Sequence, residues 1–142
     1  MRVYIDTGIL IDYIAQVPFT ALRSTQRRGR SPQQLYEHAR EILELVSASH
    51  EGAISTLSFY EVEEALYALV STAIKGVPSV QAKRVAATRP ILVQALYAVR
   101  LFGLEILSLT EGVIDAVAGS ATLPGRGMRI ADGLHLAMAA GC

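Results

Sequence analysis

The chain of 142 residues is 51% apolar and 18% charged, a composition that excludes a disordered polypeptide and suits one globular domain. Thirteen basic and thirteen acidic side chains cancel, so the net charge argues neither for nor against a nucleic-acid partner. The single cysteine, Cys142, excludes an internal disulfide and favours a reducing compartment. No secretory signal and no apolar stretch of bilayer length are visible. We therefore expect a soluble, cytoplasmic protein without membrane contact.

Apolar segments of two kinds alternate along the chain, namely short continuous runs and longer runs with helical spacing. The continuous runs predict strands at residues 2–6, 52–55 and 103–107. The runs with helical spacing predict helices at residues 9–15, 31–49, 56–76, 78–102, 110–119 and 130–140. Strands that alternate with helices in this way predict an α/β fold with a parallel sheet.

Capping residues and prolines predict where these helices begin and end. Ser31 and Pro32 suit the N-cap and the first position of the second helix. Either Thr56 or Ser58 can cap the third helix. Pro90 should break or kink the fourth, because proline lacks the backbone N–H that a helix interior needs.

Three carboxylates lie where predicted strands end or predicted helices begin. Asp6 ends the first strand, Glu61 lies early in the third helix, and Asp132 lies early in the last one. Ligands bind at the carboxyl ends of parallel strands. Carboxylates brought together repel one another unless a cation lies between them. The three acids therefore predict a divalent-metal site that acts on phosphodiester bonds.

Each of these acids also has a structural interpretation. Asp6 and Asp132 can cap the helices that follow them, and Glu61 can be a surface acid that suits the helix dipole. His135 follows Asp132 by about one turn on the same face. A lone histidine between two leucines is more often packed and hydrogen-bonded than a ligand, so we expect His135 to support the site at most.

The arginine-rich segment at residues 18–31 includes Arg23, Arg27 and Arg28, and no acid lies between Asp12 and Glu37. These arginines can bind a phosphate backbone without reading its sequence, or the segment can be a solvated loop or a disordered insertion. The chain has no P-loop, no Cys/His cluster for zinc and no motif that supports a serine triad.

Three motifs, in order, resemble those of PIN domains. They are Asp-Thr-Gly-Ile-Leu-Ile-Asp at 6–12 after an apolar strand, Ile-Ser-Thr-Leu-Ser-Phe-Tyr-Glu-Val at 54–62, and Asp-Gly-Leu-His-Leu-Ala-Met-Ala at 132–139. The resemblance covers essentially the whole chain. The size and layout look most like VapC-type toxins of prokaryotic toxin–antitoxin pairs.

This resemblance implies a PIN-like three-layer fold over residues 1–142, with a short parallel sheet flanked by helices. It implies a ribonuclease that uses Mg²⁺ or Mn²⁺, is often a homodimer and is silenced by a cognate antitoxin. Asp6, Glu61 and Asp132 would be the metal ligands, and Thr7 would be a supporting polar residue at the substrate. Asp12 and Asp115 have no secure equivalent in the family, so we expect a helix-surface acid and a helical spacer.

One departure from the family leaves other functions open. The family continues beyond the last helix into a strand that ends in a fourth acid, whereas this sequence ends at Cys142. Either the chain is shortened, a remainder lies outside it, or this member dispenses with the strand. A PIN-like domain that is impaired by this loss could serve as an RNA- or protein-binding module. A phosphatase that uses Asp6 as nucleophile would need a second aspartate two residues later, where this chain has glycine.

Overall fold

The computed structural model describes residues 1–15, 29–73, 80–120 and 126–142. The elements follow one another in the order β1 (Arg2–Tyr4), α1 (Thr7–Ile14), α2 (Pro32–Ser49), β2 (Glu51–Ser55), α3 (Thr56–Ala73), α4 (Val80–Leu101), β3 (Glu105–Leu107), α5 (Glu111–Ala118) and α6 (Ile130–Ala140). The predicted α/β class is confirmed.

The three strands form one parallel sheet with β2 in the centre. Val3 lies opposite Gly52, and Ile54 lies opposite Ile106. The backbone N–H of Ile5 donates to the carbonyl of Ala53 at 2.8 Å, so the β1–β2 hydrogen bonding continues one residue past β1. Helices flank the sheet, which agrees with the predicted PIN-like three-layer fold.

Gly52 explains how closely β2 approaches its neighbours. A Cβ atom at this position would lie 2.4 Å from Cδ2 of Leu104 and 2.8 Å from Cγ1 of Val46, well inside van der Waals contact. Both neighbours are buried core residues. Glycine therefore lets α2 and the segment before β3 close over the central strand.

The main core contains β2 and the first four helices. Its largest fully buried aliphatic side chains come from α1, α2, β2, α3 and α4, namely Leu10, Leu43, Ile54, Val62, Leu66, Ile91 and Val99. Helices α5 and α6 pack against each other, and α6 contributes Met138 beside Ser55 of β2. No helix in the described part of the chain is long and apolar enough to cross a membrane.

The predicted cap of α2 is confirmed, whereas that of α3 is wrong. The side chain of Ser31 accepts from the N–H of Gln34 at 3.2 Å, and Gln34 Oε1 accepts from the N–H of Ser31 at 2.9 Å. Thr110, where a helix was predicted to begin, is the N-cap of α5. At α3, however, Oγ of Ser55 accepts from the N–H of Leu57 at 2.9 Å. The capping hydroxyl of α3 is thus one residue earlier than Thr56.

Pro90 does not break its helix, so the predicted break does not occur, and the alternative of a kink stays a prediction. Helix α4 continues across it from Val80 to Leu101. Pro90 is exposed, whereas Ile91 and Ala95 are fully buried in the core. Burial of this face compensates for the hydrogen bond that proline removes. The predicted boundary at residues 76–78 lies outside the described residues.

Candidate active site

A cleft of about 760 Å³ opens where β1 ends. It is bounded by the start of α1, the second turn of α3 and the first turn of α6. All three carboxylates named from the sequence line it. The residues around them are Thr7, Gly8, Ile11, Tyr60, Glu64, Arg129, Ala131 and His135.

Asp6 is the N-cap of α1, with an extended backbone at φ −68° and ψ 143°. Its Oδ2 accepts a hydrogen bond from the N–H of Gly8 at 2.9 Å. The capping interpretation of Asp6 is therefore correct, but the side chain is also exposed at the cleft. Capping occupies one carboxylate oxygen and leaves the other without a hydrogen bond within the described chain.

Asp132 is held in a similar way at the start of α6. It is the third helical residue, and its Oδ2 accepts from the backbone N–H of Arg129 at 3.0 Å. The side chain is exposed. Among the residues that the structure describes, Oδ1 has no hydrogen-bond partner.

Glu61 is the most enclosed of the three acids, with 26% of its side chain exposed. Its Oε2 receives two hydrogen bonds, from the Thr7 hydroxyl at 2.6 Å and from Nε2 of His135 at 2.7 Å. The same Thr7 oxygen lies 2.9 Å from Oγ of Ser58. Because Thr7 gives its one proton to the carboxylate, the Ser58 hydroxyl donates in this second bond.

The three carboxylates thus share one pattern, in which one oxygen bonds to the protein and the other has no partner in the described segments. Unpaired carboxylate oxygens are the donors that Mg²⁺ and Mn²⁺ prefer. In their chemistry, Asp6, Glu61 and Asp132 suit a hard divalent cation, and all three line the same cleft.

The carboxylates do not converge on one point in this conformation. Over the described residues, no three His, Cys, Asp or Glu side chains are placed to hold a metal ion. Asp6 and Asp132 are exposed, so rotation about their side-chain bonds is open to them.

Two further features of the cleft favour the binding of negatively charged groups. The N-termini of α1 and α6 both meet at it, and helix N-termini carry a partial positive charge. Arg129 also lines the cleft, three residues before Asp132. Sequence reasoning missed Arg129 and Glu64. Their spacing of three residues from Asp132 and Glu61 was the signal that could have found them.

Other residues named from the sequence have different outcomes. Thr7 is buried and supports Glu61 directly. Asp12 is only 8% exposed, so the prediction of a surface acid is wrong, because α1 packs against three other helices and Asp12 is covered. Asp115 is exposed on α5, as expected. The arginines that were predicted to contact substrate lie outside the described residues, namely Arg23, Arg27 and Arg28.

Comparison with known proteins identifies no relative of this chain. No protein-family model matches the chain, and neither a curated protein nor a solved structure is significantly similar to it. The parallel sheet, the cleft at the end of β1 and the three carboxylates are therefore the ground on which a function can be argued.

Proposed function

We propose that this protein is a divalent-metal-dependent ribonuclease that hydrolyses RNA phosphodiester bonds. Asp6, Glu61 and Asp132 would hold Mg²⁺ or Mn²⁺. One observation carries the proposal. Carboxylates from three separate elements line a single open cleft, and each has one oxygen bonded to protein and one unpaired within the described chain.

Different side chains of the protein have different roles at this cleft. Thr7 and His135 hold Oε2 of Glu61 and so restrict how that carboxylate can turn. The guanidinium of Arg129 is suited to a phosphate group of the substrate. A divalent cation, when bound, would lower the pKa of a water molecule and neutralise charge on the phosphoryl oxygens. No protein nucleophile is needed for this chemistry.

The cellular role and the partners belong to the same proposal. By its resemblance, the protein would be the toxin of a toxin–antitoxin pair in the cytoplasm, a homodimer that a cognate antitoxin silences. Two apolar clefts offer surface for protein partners. One, of about 380 Å³, is lined by Tyr13, Tyr36, Val93 and Tyr97, and the other, of about 460 Å³, lies between α5 and α6.

Cleavage of RNA by matched variants tests the proposal. Asp6→Asn, Glu61→Gln and Asp132→Asn keep side-chain shape and remove charge. Each should lower the Mg²⁺- or Mn²⁺-dependent rate by at least ~100-fold, the upper range for groups that support a metal ion. Asp115→Asn is the control, because Asp115 is exposed on α5 and does not line the cleft.

Metal binding and cleavage are measured together on these variants. Calorimetry with Mn²⁺ should show weaker binding by the three cleft variants and unchanged binding by the control. If Asp6→Asn cleaves RNA as fast as the wild type, the assignment of this site is wrong.

A second candidate is a PIN-like module that binds RNA or protein without cleaving it. The observation that favours it is the separation of the three carboxylates, since no metal-holding group forms among the described residues. It predicts that the wild type retains RNA in a gel-shift assay with Mg²⁺ present and leaves the RNA intact.

A further inference from the structure

A chain of hydrogen bonds runs behind Glu61 and joins β1, α6 and α3. The Tyr4 phenol oxygen lies 2.6 Å from Nδ1 of His135. Nε2 of the same ring lies 2.7 Å from Oε2 of Glu61. The Tyr4 and His135 rings also make an edge contact, with centroids 5.9 Å apart and an interplanar angle of 63°. His135 therefore has a partner on each ring nitrogen.

The chemistry of the end groups assigns the protons along this chain. The carboxylate of Glu61 can only accept, so Nε2 of His135 carries a hydrogen and donates it. In the neutral imidazole, Nδ1 is then an acceptor, and the Tyr4 hydroxyl donates to it. A tyrosine phenol is protonated at neutral pH, so Tyr4 keeps the proton that it donates.

This arrangement determines which carboxylate oxygen of Glu61 is available. Oε2 accepts from both His135 and Thr7, and Oε1 has no partner within the described chain. Two donors on one oxygen restrict rotation about the last side-chain bond of Glu61. Without His135, Thr7 alone would hold the carboxylate, and the two oxygens could exchange places.

We propose that Tyr4 and His135 are a positioning pair for Glu61. The Glu61 carboxylate requires the Nε2–H tautomer of His135, and Tyr4 donates to Nδ1 and so fixes the orientation of the ring. His135 then holds Oε2, so that Oε1 is the oxygen left for the cleft. Neither residue touches substrate in this scheme. The tautomer is a property of the folded chain alone, whereas the effect on catalysis rests on the proposed function.

The tautomer can be measured without any activity. Nitrogen-15 NMR of the imidazole rings distinguishes Nε2–H from Nδ1–H, and His135→Gln assigns the signal among the three histidines. The wild type should show His135 as the Nε2–H tautomer. Tyr4→Phe should keep this tautomer and shift the Nδ1 resonance of His135, because Nδ1 loses its hydrogen-bond donor. A wild-type Nδ1–H tautomer, or a Tyr4→Phe spectrum identical to that of the wild type, would overturn the pair.

Two amide replacements of His135 separate positioning from packing. Glutamine places its amide nitrogen near Nε2 and can still donate to Glu61, whereas asparagine reaches only the Nδ1 position, beside Tyr4. We expect His135→Gln to keep most of the RNA-cleavage rate and His135→Asn to lose about 10–100-fold, the range for groups that orient a metal ligand. Equal losses in the two variants would indicate packing alone.

Tyr4→Phe should lower kcat about 10–100-fold and leave KM nearly unchanged. Tyr67→Phe is the matched control, since Tyr67 lies on α3 and does not line the cleft. Circular dichroism checks that each variant is folded. If the wild type cleaves RNA and Tyr4→Phe cleaves it equally fast, the positioning role is wrong and the proposed function stands. If the wild type does not cleave RNA, the proposed function fails and the tautomer measurement still decides the pair.

Discussion

Replacement of Thr7 by valine removes one hydroxyl group and keeps the shape of the side chain. Thr7 is 5% exposed, and its hydroxyl bonds to Oε2 of Glu61 at 2.6 Å. Valine makes no new cavity, so the change in the free energy of unfolding reports mainly the lost hydrogen bonds. A bond to a charged acceptor contributes about 1.5–3 kcal/mol. Because Glu61 is a quarter exposed, water replaces part of that bond in the variant.

Ser58 adds to the effect, because it donates to Thr7 and is fully buried. A buried hydroxyl without a partner costs about 1–3 kcal/mol. Rotation toward a backbone carbonyl three or four residues earlier recovers part of this. We therefore expect Thr7→Val to lower the free energy of unfolding by about 2–4 kcal/mol, which leaves a domain of ordinary stability folded.

Urea unfolding, followed by circular dichroism, measures this change. Thr7→Ser is the control, because it keeps the hydroxyl and loses one buried methyl group, at about 1 kcal/mol. The valine variant should be the less stable of the two. A valine variant within ~0.5 kcal/mol of the wild type, or a serine variant that is equally destabilised, would refute the hydrogen-bond arrangement beneath Glu61.

Two further predictions concern packing and pH. Gly52→Ala should lower the free energy of unfolding by about 1–3 kcal/mol, because its Cβ would collide with Leu104 and Val46. Gly112→Ala is the control, because its Cβ would meet only an oxygen 4.0 Å away. It should leave the free energy of unfolding unchanged or raise it by up to ~1 kcal/mol. Equal losses of stability in the two variants would contradict the packing of β2. Burial raises the pKa of Tyr13 above 10.0. Its contribution to stability is thus complete below pH 10 and is lost as pH rises through the raised pKa. Urea melts on both sides of pH 10 should show a smaller decline in Tyr13→Phe, and an unchanged decline would contradict this role.

Local signals predicted most of the fold. Helix α2 and helix α6 begin and end where caps and apolar spacing place them, because both signals act within a few residues. Helix α3 begins at Thr56 as predicted, but its capping residue was misassigned because the cap depends on tertiary contacts. Ser58 bonds to Thr7 of α1 instead, and Ser55 is the capping residue. Helix α4 likewise continues through Pro90, where a break was expected, because the next residue, Ile91, is buried in the core. No local sequence pattern reports that burial.

The candidate site, like the fold, was predicted from the sequence only in part. Parallel topology predicts that acids at strand ends and helix starts approach one cleft, and Asp6, Glu61 and Asp132 do so. The contact between Tyr4 and His135 joins residues 131 positions apart. Single-sequence patterns carry no information over that distance. The burial of Asp12 was missed for the same reason, since it depends on helices that pack over α1.

The span of these contacts along the chain determines when the cleft can exist. Thr7 meets Glu61 across 54 residues, and Glu61 meets His135 across a further 74. During synthesis on the ribosome, β1, α1 and the sheet can therefore associate while α6 is still being made. Until α6 emerges, Glu61 lacks its histidine and the cleft lacks its third carboxylate. A nascent chain with a complete main core is thus still without the site, and any activity of the cleft begins only when α6 docks.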